Sequence, residues 1–204
     1  MMEVAESAGE IIASEDQARA QVYRLLGRLL AQAPDDSLLA ILRDLQTPMS
    51  ETGTDVAAAW GVLKQAATRA DRTVLEEEYQ EIFIGVVRGE LMPYASWYLT
   101  GFLMEKPLAE LRLDLKRLGF ERKDDVREPE DHAAALCETM GLMAATPGTS
   151  TEAQRQFFDK HLAPWMGRFF ADLATARSAN FYRAVGLLGE RFFEVERAYL
   201  SMAV

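Results

Sequence analysis

The sequence predicts an all-α fold: one globular domain of about nine or ten helices. Three observations predict it. Apolar residues recur at helical spacing along almost all of the 204 residues. Alternating runs of β-branched residues are missing, and so are Asn-Gly and Asp-Gly hairpin turns. No internal repeat period or low-complexity tract divides the chain. With 49% apolar and 26% charged residues, the chain can bury a core and stay folded.

Each element follows from local chemistry. Residues 1–14 read as a flexible N-terminus, and 15–204 as the folded domain. Ser14 is expected to cap the first helix, whose stripe is Val22, Leu25, Leu26, Leu29 and Leu30. Pro34 ends it, and Asp35 to Leu45 reads as a short second helix. After a loop at Pro48 to Gly53, Thr54 or Asp55 opens a third, with Val56, Trp60 and Leu63 on one face. Thr73 with Glu76 forms an S/T-x-x-E capping box. The helix behind it carries Leu75, Tyr79, Ile82 and Phe83 on one face, with Glu76, Glu77, Glu78 and Glu81 elsewhere, and stops at Gly85.

Gly85 to Pro93 reads as a loop, followed by a helix through Trp97, Tyr98, Phe102 and Leu103. Pro107 suits the first turn of the next helix, which runs along Leu108, Leu111, Leu115 and Leu118 to a Gly119 cap. Pro129 is expected to start a helix through Met143 that Pro147-Gly148 breaks. Two or three more helices complete the chain. Their aromatic series, from Phe157 to Tyr199, is assigned to the core. A hinge is expected near 85–95 or near 121–128.

Composition excludes several function classes. Lys plus Arg number 22 against 32 Asp plus Glu, a net charge of −10. Such a surface repels phosphate backbones, so no nucleic-acid partner is expected. Two histidines and one cysteine cannot build a Cys/His zinc site, and Cys137 has no partner for an internal disulfide. Neither a metal nor a cofactor is expected. The acidic first 15 residues lack the basic start of a secretory signal, and the apolar runs are too short to span a bilayer. A cytoplasmic protein without membrane insertion is the expectation.

Two segments can carry function. In Arg127-Glu128-Pro129-Glu130-Asp131-His132, the acidic residues of a first helical turn complement the helix dipole. His132 reads either as a buried, hydrogen-bonded residue anchoring a helix start, or as an acid/base partner of Glu128 or Asp131. The second reading gives the alternative function, a small helical enzyme. No nucleophile motif, phosphate loop or metal constellation accompanies it. The lone His161 reads as a helix-surface or interhelical residue. The other segment, Phe83 to Tyr98, places Met92, Tyr94 and Trp97 in an otherwise flexible stretch. It is either a loop folded over the core or the wall of a groove for an apolar peptide.

Together these blocks resemble the TorD/DmsD family of maturation chaperones for molybdoenzymes. The family's E-P-x-D-H signature stands as Glu128-Pro129-Glu130-Asp131-His132. Its Y-x-x-x-F-x-G segment stands as Tyr79 to Gly85, followed by Pro93 and by Ser96-Trp97-Tyr98. Downstream, Gln156 to Trp165 and Phe181-Tyr182 are similar to the family's F-x-x-x-H-L-x-x-W and F-Y stretches. The resemblance covers nearly everything from about residue 15 onward.

It implies an all-helical, cytoplasmic chaperone rather than an enzyme. Its partner would be an immature molybdoenzyme subunit, bound in many members through its twin-arginine leader and kept from export until the cofactor is inserted. The implied partner-binding residues are Glu128, Pro129, Asp131, His132, Pro93 and Ser96. Tyr94 and Trp97 join them as groove contacts. Asp124, Asp125, Glu128 and Asp131 are expected to receive the leader's arginines in bidentate geometry. Domain-swapped homodimers and guanine-nucleotide binding are known among members, and both stay open for this chain. This chain has Pro93-Tyr94-Ala95 where some members carry a proline- and glycine-rich run, and Gly85-Val86-Val87 lacks a Gly-Pro pair. A client without an export signal therefore also stays open.

Overall fold

The computed structural model describes residues 2–46, 55–122 and 127–202; residues 2–14 and 55 are described by backbone alone. Helix α1 spans Met2–Ala31. Its bounds run through Ser14, so the helix is not capped there as expected; no Pro or Gly-Asn breaker interrupts it at that point. The expected flexible segment 1–14 falls on residues whose side chains lie outside the described set. So do the Pro48–Gly53 loop and Thr54. Helix α2 (Asp36–Asp44) is capped by Asp35, whose carboxylate accepts from the Leu38 amide, and α3 is Asp55–Arg69.

Helix α4 (Arg72–Tyr79) corrects the expected cap. Asp71 supplies it, accepting from the Thr73 and Val74 amides. Glu76 instead pairs with Arg72 one turn away, at 2.9 Å. A charged carboxylate outside the helix accepts from the orphan amides more strongly than a hydroxyl inside it. The chain then widens into a π-helical turn at Gln80–Ile84 that closes at Gly85.

Helix α5 (Ala95–Thr100) is shorter than expected. Gly101 turns left-handed at φ 81° and stops it, leaving Phe102 and Leu103 outside the helix and exposed. Helix α6 (Lys106–Arg117) matches the sequence reading. Pro107 sits in its first turn, and Gly119 ends it with φ 77°. The Gly119 amide reaches the Lys116 carbonyl and the Phe120 amide reaches Leu115, a Schellman ending. The remaining helices are α7 (Ala133–Ala145), α8 (Thr151–His161), α9 (Met166–Thr175) and α10 (Phe181–Met202). The described residues thus form ten helices and the π turn, with one isolated β-bridge and no strand.

Helix α1 lies along α7, and α10 lies along α9 and α3. The aromatic series from the C-terminal third fills the space between them, as expected. Phe158, Phe169, Phe170 and Tyr182 are fully buried, and the Phe170 and Phe193 rings meet at 5.3 Å. Burying each such ring contributes about 1.5–3 kcal/mol. Two aromatic hydroxyls also close the end of α1. Tyr182 donates to the Leu29 carbonyl at 2.9 Å, and Tyr79 to that of Ala31 at 2.9 Å. Carbonyls that a helix end leaves unpaired are thereby satisfied. Among the described residues, no helix is long and apolar enough to cross a membrane. No group of three or more His, Cys, Asp or Glu among them could hold a metal ion.

Candidate functional site

The two segments singled out in the sequence meet. Tyr94 and His132 form an isolated antiparallel bridge. The Ala95 amide donates to the Asp131 carbonyl at 2.9 Å, and the Ala133 amide to Pro93 at 2.8 Å. This bridge corrects the expected helix start at Pro129. Residues 129–131 form a turn, with the His132 amide reaching the Pro129 carbonyl, and His132 has an extended backbone. The helix begins at Ala133 because residue 132 is held in a cross-chain pairing.

The side chains lock that pairing. Asp131 is 1% exposed, and its Oδ2 accepts from the Ser96 amide at 2.9 Å. His132 is 7% exposed. Its Nδ1 accepts from the Ala134 amide at 3.1 Å, which caps α7 and puts the ring proton on Nε2. Burial pushes its pKa down to about 4, against the upward pull of Glu128 and Asp131. The Tyr94 ring stands edge-on to the imidazole at 5.0 Å, and its hydroxyl donates to the Glu128 carboxylate. Burial and that carboxylate hold the Tyr94 hydroxyl protonated. Glu130 is taken by Arg112 of α6 at 2.8 Å.

The expected site residues therefore divide by exposure. Pro93, Ser96, Asp131 and His132 are buried, whereas Pro129, Tyr94 and Trp97 are partly exposed and Glu128 is exposed. A carboxylate as buried as Asp131 cannot meet a guanidinium from solvent. Asp124 and Asp125 lie outside the described residues. A neutral, buried imidazole whose Nδ1 serves as a helix cap is not arranged as a general base.

Beside the bridge, a cleft of about 350 Å3 is lined by residues including Leu91, Met92, Trp97, Tyr98, Arg168 and Asp172. It brings together Met92 and Trp97, the residues expected to wall a groove. Tyr98 donates to Asp172 at 3.0 Å. A second cavity, about 220 Å3, lies against α5, α6 and the end of α8, bordered by Leu99, Lys106, Glu110 and His161. His161 is interhelical, as one of its two readings had it, with Nε2 2.9 Å from Asp114 Oδ2. The lining of neither cavity includes His132 or Asp131.

Two acidic residues that position these segments escaped the sequence reading. Glu78, expected off the apolar face, is buried and accepts from the Asn180, Phe181 and Tyr182 amides at the start of α10. Its spacing to Leu75, Tyr79 and Ile82 is the signal that could have found it. Glu90 accepts from the Arg177 and Ser178 amides and ties the loop before α5 to the α9–α10 turn. That pairing holds its pKa below the usual glutamate range, against the opposing effect of burial.

Comparison with known proteins adds the family. A model described as the nitrate reductase delta subunit matches residues 50–171. The chain belongs to that family. It is 29% identical to the chaperone protein TorD of Aliivibrio salmonicida, over 91% of this chain and 96% of the relative. It is 27% identical to TorD of Shewanella piezotolerans, over 85% and 87%. A solved structure from Archaeoglobus fulgidus, described as a redox enzyme maturation protein, shares the fold at TM-score 0.51 and 17% identity, over 90% of this chain and 93% of that one. The kinship with the TorD/DmsD redox-enzyme maturation chaperones holds, and it places the chain among chaperones rather than enzymes.

Proposed function

We propose that this chain is a cytoplasmic chaperone that binds the immature catalytic subunit of a molybdenum-dependent oxidoreductase. In this reading it engages the subunit through its twin-arginine leader and holds it for cofactor insertion and assembly before export. The observation that carries the reading is the bridge between Tyr94 and His132. It sets Glu128 against the Tyr94 hydroxyl at the start of α5, the helix that carries Trp97 into the lining of a cleft with Met92 and Tyr98. Glu128 and the face of the Trp97 ring take the leader's guanidinium groups, and Met92 with the neighbouring apolar wall takes the stretch that follows them. Pro93, Ser96, Asp131 and His132 hold those groups in place from beneath, with Pro129 partly exposed beside them. The net charge of −10 steers a cationic leader at long range.

Calorimetry with the twin-arginine leader peptide of a molybdoenzyme tests this. Micromolar or tighter binding is expected, about 8 kcal/mol or more. Glu128→Gln and Trp97→Ala should each weaken it about tenfold while thermal stability is kept. Full affinity in both variants removes the site. Co-purification of the chain with a co-expressed molybdoenzyme catalytic subunit tests the client itself.

A further inference from the structure

We infer that Arg88, whose guanidinium lies over the Trp97 ring that lines the client cleft, competes for that ring with a client arginine and must swing away on binding. The inference rests on the client-binding reading above. The loop that carries Arg88 is fixed at both ends. Gly85 has φ 63°, and a Cβ there would lie 1.9 Å from the Arg88 carbonyl oxygen. On the far side, the Glu90 and Leu91 amides bond to the Glu81 and Ile82 carbonyls at 3.1 and 2.8 Å. Between these clamps Val86 and Val87 are fully exposed, and Arg88 is exposed as well.

The Arg88 guanidinium sits 5.7 Å from the Trp97 ring centroid, near the outer limit of a cation–π contact. Arg168 sits at the same distance from Tyr98 on the cleft wall. The two arginines differ in their tethers. Arg168 has the Asp172 carboxylate at 3.9 Å, whereas among the described residues Arg88 has no carboxylate partner. Arg88, exposed and without such a carboxylate, is the more readily displaced of the two. A ring that already accepts a guanidinium from its own chain accepts another of the same shape. Asp172 and Glu90 on the cleft wall give the site the charge an arginine-bearing peptide needs. The fully exposed Val86 and Val87 offer apolar surface beside it for the following residues. The occupant is thus an extended client segment with an arginine followed by apolar side chains.

The test uses the full chain and an N-acetylated synthetic peptide with two arginines followed by six apolar residues. Calorimetry gives the affinity. The Trp97 indole N–H resonance, assigned through Trp97→Phe, reports on the ring. Arg88→Ala should bind the peptide about two- to five-fold tighter, the size of an exposed cation–π competitor removed. In the free protein, Arg88→Ala should already move the Trp97 resonance, and peptide titration should move it in both proteins. If the wild-type chain binds the peptide and Arg88→Ala binds no tighter, the role of Arg88 is overturned and client binding survives. If neither protein binds it, the client-binding reading falls, and this inference with it.

Discussion

His132 performs two structural tasks at once: its backbone closes the bridge to Tyr94, and its Nδ1 caps α7. The cap needs the ring neutral, because a protonated Nδ1 cannot accept. The folded-state pKa of about 4 lies below the ordinary 6.5 because burial penalises the imidazolium. Between those values only the unfolded chain takes up the proton. The stability His132 contributes is therefore complete above pH 6.5 and is lost as pH falls toward 4. Urea unfolding at pH 7.5 and pH 4.5 checks this. Wild type should lose about 2 kcal/mol more than His132→Asn, which keeps a capping acceptor but cannot charge. The residues 128–132 were legible as a feature, and the sequence kept a buried anchor among its readings. Their separation into buried supports and exposed contacts was not legible, because it depends on how this segment pairs with residues 93–96, distant in the sequence.

At the scale of elements, periodicity located nearly every helix, and local chemistry set many ends. Pro107 and Gly119 bound α6 as expected, because fixed φ at the start and a left-handed residue at the end are properties of single residues. The starts of α4 and α7 were misplaced for different reasons, one local and one long-range. At α4 a carboxylate outside the helix outcompetes Thr73 for the orphan amides. At α7 a partner distant in sequence holds residue 132 extended. Helix α10 shows the same dependence. Its first amides are satisfied by Glu78, 102 to 104 positions away. Removing that carboxylate, as in Glu78→Ala, should cost at least about 2 kcal/mol by strandng several buried donors. The α9–α10 contact is equally specific. A Cβ at Gly186 would meet the Ala174 amide nitrogen at 2.4 Å, so Gly186→Ala should destabilise by about 1–3 kcal/mol in a denaturant titration.

The whole molecule is fastened by a polar cluster as well as by its aromatic core. Arg19 on α1 bonds Glu196 of α10 at 2.5 Å and Gln154 of α8 at 2.9 Å, and lies 4.2 Å from the Tyr199 ring centroid. All three polar partners are buried. Arg19→Met leaves the Glu196 carboxylate buried without its cation and should cost about 3–5 kcal/mol, read as a lowered unfolding midpoint. Charge acts on binding at the same scale. If a cationic leader is steered by the acidic surface, its affinity should fall severalfold between 50 and 300 mM salt, mainly through slower association. A salt-independent affinity would show that the apolar cleft alone carries recognition.

The sequence by itself determined the helical class, the aromatic core and the membership announced by Glu128 to His132 with its flanking blocks. Those depend on spacing, side-chain volume and residue type, which are local or additive properties. The tertiary structure decided which acidic residues are buried, where α7 begins, and that Arg88 lies over Trp97. Each of these is set by contacts between segments far apart in the chain, whose geometry no local pattern encodes.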